Sequence, residues 1–160
     1  MAIIQNAFIQ RKSFQLIGIS AVTSNEAEMK NEGVIEGLWG KIYSSEFIQT
    51  IPNKINQSIF ALYTNYESDE TGTYTFVIGS EVVQDTKEAL GMEKFEVPEA
   101  KYIVFTTRKG PVQEVVIEAW QEIWEWSKTN ERAFLSDFEV YDERTIDPEN
   151  SQVDIYISVK

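Results

Sequence analysis

The sequence predicts an α+β fold built from two copies of a strand-helix-strand-strand unit. Two observations carry this expectation. Runs of alternating β-branched and aromatic residues flank two segments of helical periodicity in the same order twice over. Matching apolar positions also recur at nearly constant offsets. Trp39 and Trp120 are 81 apart, and at that spacing Ile35 meets Val116, Ile42 meets Ile123 and Tyr43 meets Trp124. Phe60, Leu62 and Tyr63 meet Phe138, Val140 and Tyr141 at an offset of 78, and Tyr74, Phe76 and Ile78 meet Val153, Ile155 and Ile157 at 79.

In order, Ser13 to Ser24 alternates as a strand, and Asn25 with Glu26 and Glu28 reads as a capped, acidic helix start. Met29, Val34, Ile35, Leu38, Trp39 and Ile42 keep helical spacing, weakened by Gly33, Gly37 and Gly40. Ser44 to Pro52 reads as the end of that helix or a short helical turn. Ser58–Glu67 and Thr73–Val83 form a hairpin around the turn residues 68–72. In the second half, Phe95 to Arg108 reads as a strand with Pro98 at its beginning or an edge. Val112, Val116, Ala119, Trp120, Ile123 and Ser127 mark one helix face running to about Asn130. Ser136–Arg144 and Gln152–Lys160 are the closing strands, separated by Asp147-Pro148-Glu149-Asn150-Ser151. The expected organisation is one domain over residues 1–160, with modules at about 1–88 and 89–160.

Composition narrows the chemistry. At 160 residues the chain has the length of one domain and needs no metal or disulfide to fold. It has no Cys and no His. Thiolate chemistry, Ser-His dyads and the usual zinc sites are therefore excluded, and acid-base work falls to Glu, Asp, Tyr or Lys. A net charge of −12 argues against direct nucleic-acid binding. No apolar run reaches the ~18 residues of a membrane span, and Met1-Ala2-Ile3-Ile4-Gln5-Asn6 lacks the pattern of a signal peptide. The expected compartment is the cytoplasm. No cofactor is expected, because no phosphate-cradling loop is present. No metal is expected either, since Asp142, Glu143, Asp147 and Glu149 lack calcium-loop spacing.

Several stretches carry a family resemblance: 14–20 (FQLIGIS), Leu38-Trp39, Ala61-Leu62-Tyr63, 66–69 (YESD), 74–82 (YTFVIGSEV), the tryptophan-rich 120–126, 137–142 (DFEVYD) and 153–159 (VDIYISV). Together they resemble the GyrI-like small-molecule-binding domain, also called the AraC-type effector-binding domain, an SHS2-repeat fold. Ser158 stands where that family usually has Pro. The resemblance implies two βαββ modules related by pseudo-twofold symmetry, antiparallel sheets with helices on one side, and a central ligand groove. It implies a bulky aromatic or cationic small-molecule ligand. With no room for a DNA-binding segment before Ser13, the chain resembles the stand-alone members. Three functions follow as expectations: sensing, sequestration or detoxification by binding; hydrolysis of cyclopropane-bearing genotoxins; or inhibition of a protein partner such as DNA gyrase.

Strand alternation puts Glu139 and Tyr141 on one face and Phe138 and Val140 on the other. If Phe138 and Val140 pack under the helices, Glu139 and Tyr141 face the opposite side, where the resemblance implies the groove. The repeat-equivalent positions are Ala61 and Tyr63, so the junction offers two tyrosines and one acid. A carboxylate among aromatic rings suits an organic cation, and burial would raise its pKa towards general acid-base use. Glu139 and Tyr141 are thus the catalytic candidates. The ligand-binding candidates are Trp39, Tyr63, Glu139, Tyr141, Trp124 and Tyr102, with Tyr102 able to face either way. Trp120, on the apolar stripe, reads as core.

Overall fold

The computed structural model describes residues 3–31, 33–44 and 46–160. Eight strands form one antiparallel sheet: β1 (Ile3–Arg11), β2 (Phe14–Ser24), β3 (Ile59–Thr64), β4 (Thr73–Val82), β5 (Glu93–Val97), β6 (Ala100–Thr107), β7 (Ser136–Tyr141) and β8 (Asp154–Val159). Helices α1 (Asn25–Met29), α2 (Ile35–Ser44) and α3 (Val112–Ser127) complete it. The spatial order is β1-β6-β8-β7-β3-β4-β2-β5. Outward from the central β7–β3 pair, β8 and β6 on one side mirror β4 and β2 on the other, so each half repeats the predicted strand order.

The outermost strands depart from the sequence reading. β1, which the alternation left unread, pairs with β6 of the other half, and β5 pairs with β2. The run read as one strand from Phe95 to Arg108 is two, interrupted at Pro98-Glu99, where proline cannot donate to a ladder. Yet Arg11↔Ala100 and Phe14↔Val97 keep one register across the interruption. β1–β2 and β5–β6 thus form a single long antiparallel ribbon.

This ribbon imposes curvature. In a flat sheet β1 and β2 would lie six strand spacings apart, about 29 Å. The three Cα steps from Arg11 to Phe14 reach only about 11 Å. The sheet must roll until its two sides meet, and its inner face then needs no helix to cover it. Phe14, Leu16, Phe60, Leu62, Tyr102 and Phe138 fill that interior. The outer face carries the helices in two clusters. Leu38 and Ile42 of α2 pack on Tyr74, Phe76 and Ile78, while Ala119 and Ile123 of α3 pack on Phe105, Ile155 and Ile157.

The first helical region is also divided, because its glycines weaken continuous helix. Ser24, rather than Asn25, caps α1 by accepting from Ala27 N–H at 3.1 Å. Glu28 then accepts from Val34 N–H at 2.8 Å and Thr23 Oγ1–H at 2.6 Å, supplying the start of α2 with an acceptor. Glu32, between the two helices, and Ser45, within the turn read over Ser44–Pro52, lie outside the described residues; Ile48–Thr50 form a 3-10 turn.

Gly18 and Gly79 face each other across β2 and β4. A Cβ on Gly18 would collide with the Ile78 carbonyl, and one on Gly79 with that of Ile17. Gly37 of α2, by contrast, has open space around it. Gly18→Ala is expected to destabilise the protein by about 3 kcal/mol, and Gly37→Ala to stabilise it by about 0.5–1 kcal/mol. Urea denaturation checks both; equal midpoints for the two variants would contradict the close approach of the strands.

Candidate functional site

The seam between the halves is the β3–β7 pair, where Ala61 lies opposite Glu139. Glu139 and Tyr141 stand on the helix-bearing face, not opposite it as the alternation argument expected. Phe138 and Val140 instead point into the rolled interior, because curvature makes both faces of this sheet apolar. The site therefore lies between the helices.

Glu139 is only 2% exposed. Tyr63 O–H donates to its Oε2 at 2.9 Å, Trp120 Nε1–H to Oε2 at 2.6 Å, and Tyr141 O–H to Oε1 at 2.6 Å. All three donors are neutral groups. Burial raises the Glu139 pKa above its ordinary 4.5, and the hydrogen bonds from Tyr141, Trp120 and Tyr63 oppose that rise. Tyr63 and Tyr141 are pushed well above 10.0, first by burial and next by the Glu139 charge.

Aromatic rings brace this carboxylate across the seam. Trp120 of α3 meets Tyr63 of β3 edge-on at 5.3 Å, and Trp39 of α2 meets Tyr141 of β7 edge-on at 5.0 Å. Each tryptophan thus crosses to the other half. Tyr43 stacks on Trp39 at 5.7 Å, and its repeat partner Trp124 tilts against Trp120 at 6.4 Å. The acid has no such partner, since Ala61 occupies the equivalent position.

Beside the carboxylate opens a cleft of about 170 Å³. Its walls include Tyr63, Tyr66, Tyr74, Trp120, Trp124 and Ile35. A cavity near this size accepts one aromatic ring. Trp124, 38% exposed, and exposed Ile117 lie at its solvent side. Glu139 is not in the wall itself; it lies behind Tyr63 and Trp120, whose polar hydrogens it accepts. Hydrogen bonding to a carboxylate enriches those rings in electron density, which strengthens them as hosts for a cation. Acidic Glu28 and Glu70 also border the cleft.

Of the sequence candidates, the structure brings together Glu139, Tyr141, Tyr63 and Trp39 through contact, with Tyr63 and Trp124 lining the cleft. Tyr102 is a correction. It is 1% exposed in the rolled interior, on the far face from the cleft, and burial pushes its pKa up to about 12. Trp120 is the reverse case: read as core, it lines the cleft and donates to Glu139. Spacing in the sequence does not point to Tyr66, Tyr74 or Arg132 as cleft residues. Tyr66 stands within one of the family-like stretches, whereas Arg132 lies in a segment without periodicity. Among the described residues, no group of three or more acidic residues is arranged to hold a metal ion, and no helix is long and apolar enough to cross a membrane.

The family model described as integron-associated effector binding protein (Cass2) matches residues 8–159. YobU of Bacillus subtilis is 39% identical over 144 residues, covering 89% of this chain and 90% of its own length. The transcriptional regulator BrlR of Pseudomonas aeruginosa is 30% identical over 157 residues; 94% of this chain matches, but it spans only 54% of BrlR. Among solved structures, an integron cassette protein from the mobile metagenome of Vibrio cholerae superposes with a TM-score of 0.80 at 28% identity, covering 99% of this chain and 98% of that one. SAV2435 bound to tetraphenylphosphonium also gives 0.80, at 20% identity, with 98% and 94% covered.

The carboxylate's burial makes stability depend on pH. A raised pKa means the native protein keeps this proton where the unfolded chain, at 4.5, has lost it. The contribution to stability is complete below 4.5 and falls as pH rises through the native value. The wild-type unfolding free energy is therefore expected to fall relative to Glu139→Gln as pH rises above 4.5. Parallel pH profiles for the two proteins would contradict it.

Proposed function

Since the chain belongs to the integron-associated effector-binding proteins, within the GyrI-like effector-binding domains, we propose that its ligand is a bulky aromatic cation and that binding, for sensing or sequestration, is its task. The observation that carries this reading is a buried carboxylate whose three donors are all neutral. Its charge is dispersed by hydrogen bonds but not cancelled by them, so it favours a cation at the aromatic wall in front of it. One ring of the ligand enters the cleft, and the rest lies against Trp124 and Ile117 at the solvent side. Cation–π contacts with Tyr63 and Trp120 add roughly 0.5–2 kcal/mol each. The tetraphenylphosphonium held by SAV2435 is a cation of this class, on a related fold.

Holding suits the geometry better than cutting. Both Glu139 oxygens are engaged by side chains, and neither belongs to the cleft wall. A water-activating base needs an oxygen within reach of the substrate's water. Tyr141 likewise spends its hydroxyl on Glu139. Glu28 and Glu70 in the cleft wall, where Arg132 is paired with Asp137, also favour cations over anions before contact is made.

Tryptophan fluorescence tests the reading with two ions of the same shape. Wild-type protein is expected to bind tetraphenylphosphonium at least about tenfold more tightly than tetraphenylborate, a difference of about 1.4 kcal/mol. Glu139→Gln should remove most of that preference while leaving the fold intact by circular dichroism. Equal affinity of the wild type for both ions would overturn the proposal.

A further inference from the structure

Arg132 borders the aromatic cleft, with its guanidinium 6.0 Å from the Trp120 ring, yet its hydrogen-bonding capacity is only partly used. Its side chain is 2% exposed, and Nη2 donates to the buried Asp137 at 2.7 Å. Asp137 is held in turn by Tyr66 O–H at 2.5 Å and by Ser158 N–H at 2.7 Å. Arg132 Nε and Nη1 are buried without any hydrogen-bond partner. Unmet charged donors are costly in a folded protein and call for a reason.

Two further features meet at this residue. A second, more polar cleft of about 280 Å³ adjoins the aromatic one and shares Glu70 and Arg132 with it. Its wall offers donors and acceptors together, from Ser127, Asn130, Glu131 and Lys160. Phe134 also borders it and lays its ring 4.3 Å from the Arg132 guanidinium. Phe134 has φ 53°, a left-handed conformation that is unfavourable for a bulky side chain and tends to mark functional sites. The residue packed on the guanidinium that carries the unmet donors is thus itself held under strain.

We infer that the ligand site has a polar annex, in which Arg132 Nε or Nη1 donates to a carbonyl oxygen on an arm of the ligand after Phe134 swings aside. The inference rests on the aromatic-cation reading for the ligand's body. A carboxamide arm suits the annex best: its oxygen takes an Arg132 donor and its N–H groups meet Glu70 or Glu131. A carboxylate arm would meet those same acids with repulsion. The annex therefore selects among aromatic cations by their neutral polar arms.

A matched pair of probes tests this on the intact chain: triphenylphosphonium carrying a 4-carbamoylbutyl arm, and its hydrocarbon isostere with a 5-methylhexyl arm. The wild type is expected to bind the amide about tenfold more tightly than the isostere. Arg132→Lys, which keeps a cation for Asp137 but places no donors at the Nε and Nη1 positions, should abolish the preference. Phe134→Ala lies outside the Arg132–Asp137 pair and should enlarge it by uncovering the donors. Equal binding of the two probes by the wild type, with the isostere still bound, overturns the annex and leaves the aromatic-cation reading standing. Failure of both probes to bind overturns the two together. A preference unchanged in Arg132→Lys and Phe134→Ala also overturns the annex.

Discussion

The burial of Glu139 at the seam is the interaction on which the rest of this molecule turns. A carboxylate removed from water costs several kcal/mol unless its oxygens are satisfied. Here the satisfaction comes from β3, β7 and α3 at once, through Tyr63, Tyr141 and Trp120. The two halves are therefore tied by the same bonds that keep the charge inside. Trp39, crossing from α2 to Tyr141, completes the brace from the other half. Replacing Glu139 by an apolar residue would cost less to bury, as Ala61 at the equivalent position illustrates. Under the proposed function, the acid retained on one side only serves to favour a cation at the aromatic wall.

The rolled sheet makes such a site possible. The short crossings at Lys12-Ser13 and Pro98-Glu99 hold the ends of the strand array together, so the inner face is filled by side chains of the sheet itself. That leaves the outer face free to carry two helices with a gap between them. The carboxylate and its hydrogen-bond donors then rest on strands β3 and β7 and helix α3 rather than on loops, which fixes their geometry before a ligand arrives. At one corner Phe134 and the chain following α3 border the second cleft.

The parts of the fold that were legible in the sequence are those whose periodicity is local. The hairpin of β3 and β4, the stripe of α3 and the matched Trp39 and Trp120 all follow from spacing within one half. The pairing of β1 with β6 depends on residues nearly a hundred positions apart, and nothing local announces it. The face on which the site lies departs from the sequence expectation for a related reason. Alternation correctly groups Glu139 with Tyr141, but it assumes that the helix-covered face is the more apolar one. In a rolled sheet both faces are apolar, so Phe138 and Tyr102 pass for helix-facing or groove-facing residues while filling the interior. Trp120 shows the converse ambiguity, since an aromatic on a helical stripe can pack and still present its N–H to a site. Arg132 was beyond reach, because its partners Asp137, Phe134 and Trp120 converge only in three dimensions.

The most direct test of the account is the pH dependence of ligand binding. If the buried carboxylate answers to a cation at the aromatic wall, its raised pKa means that affinity must grow as rising pH removes its proton. Calorimetric titration with tetraphenylphosphonium at a series of pH values from 4.5 upwards measures that change. The account predicts tighter binding with rising pH by the wild type and a flatter profile for Glu139→Gln. Binding by the wild type that does not change with pH, or that rises equally in Glu139→Gln, would contradict it.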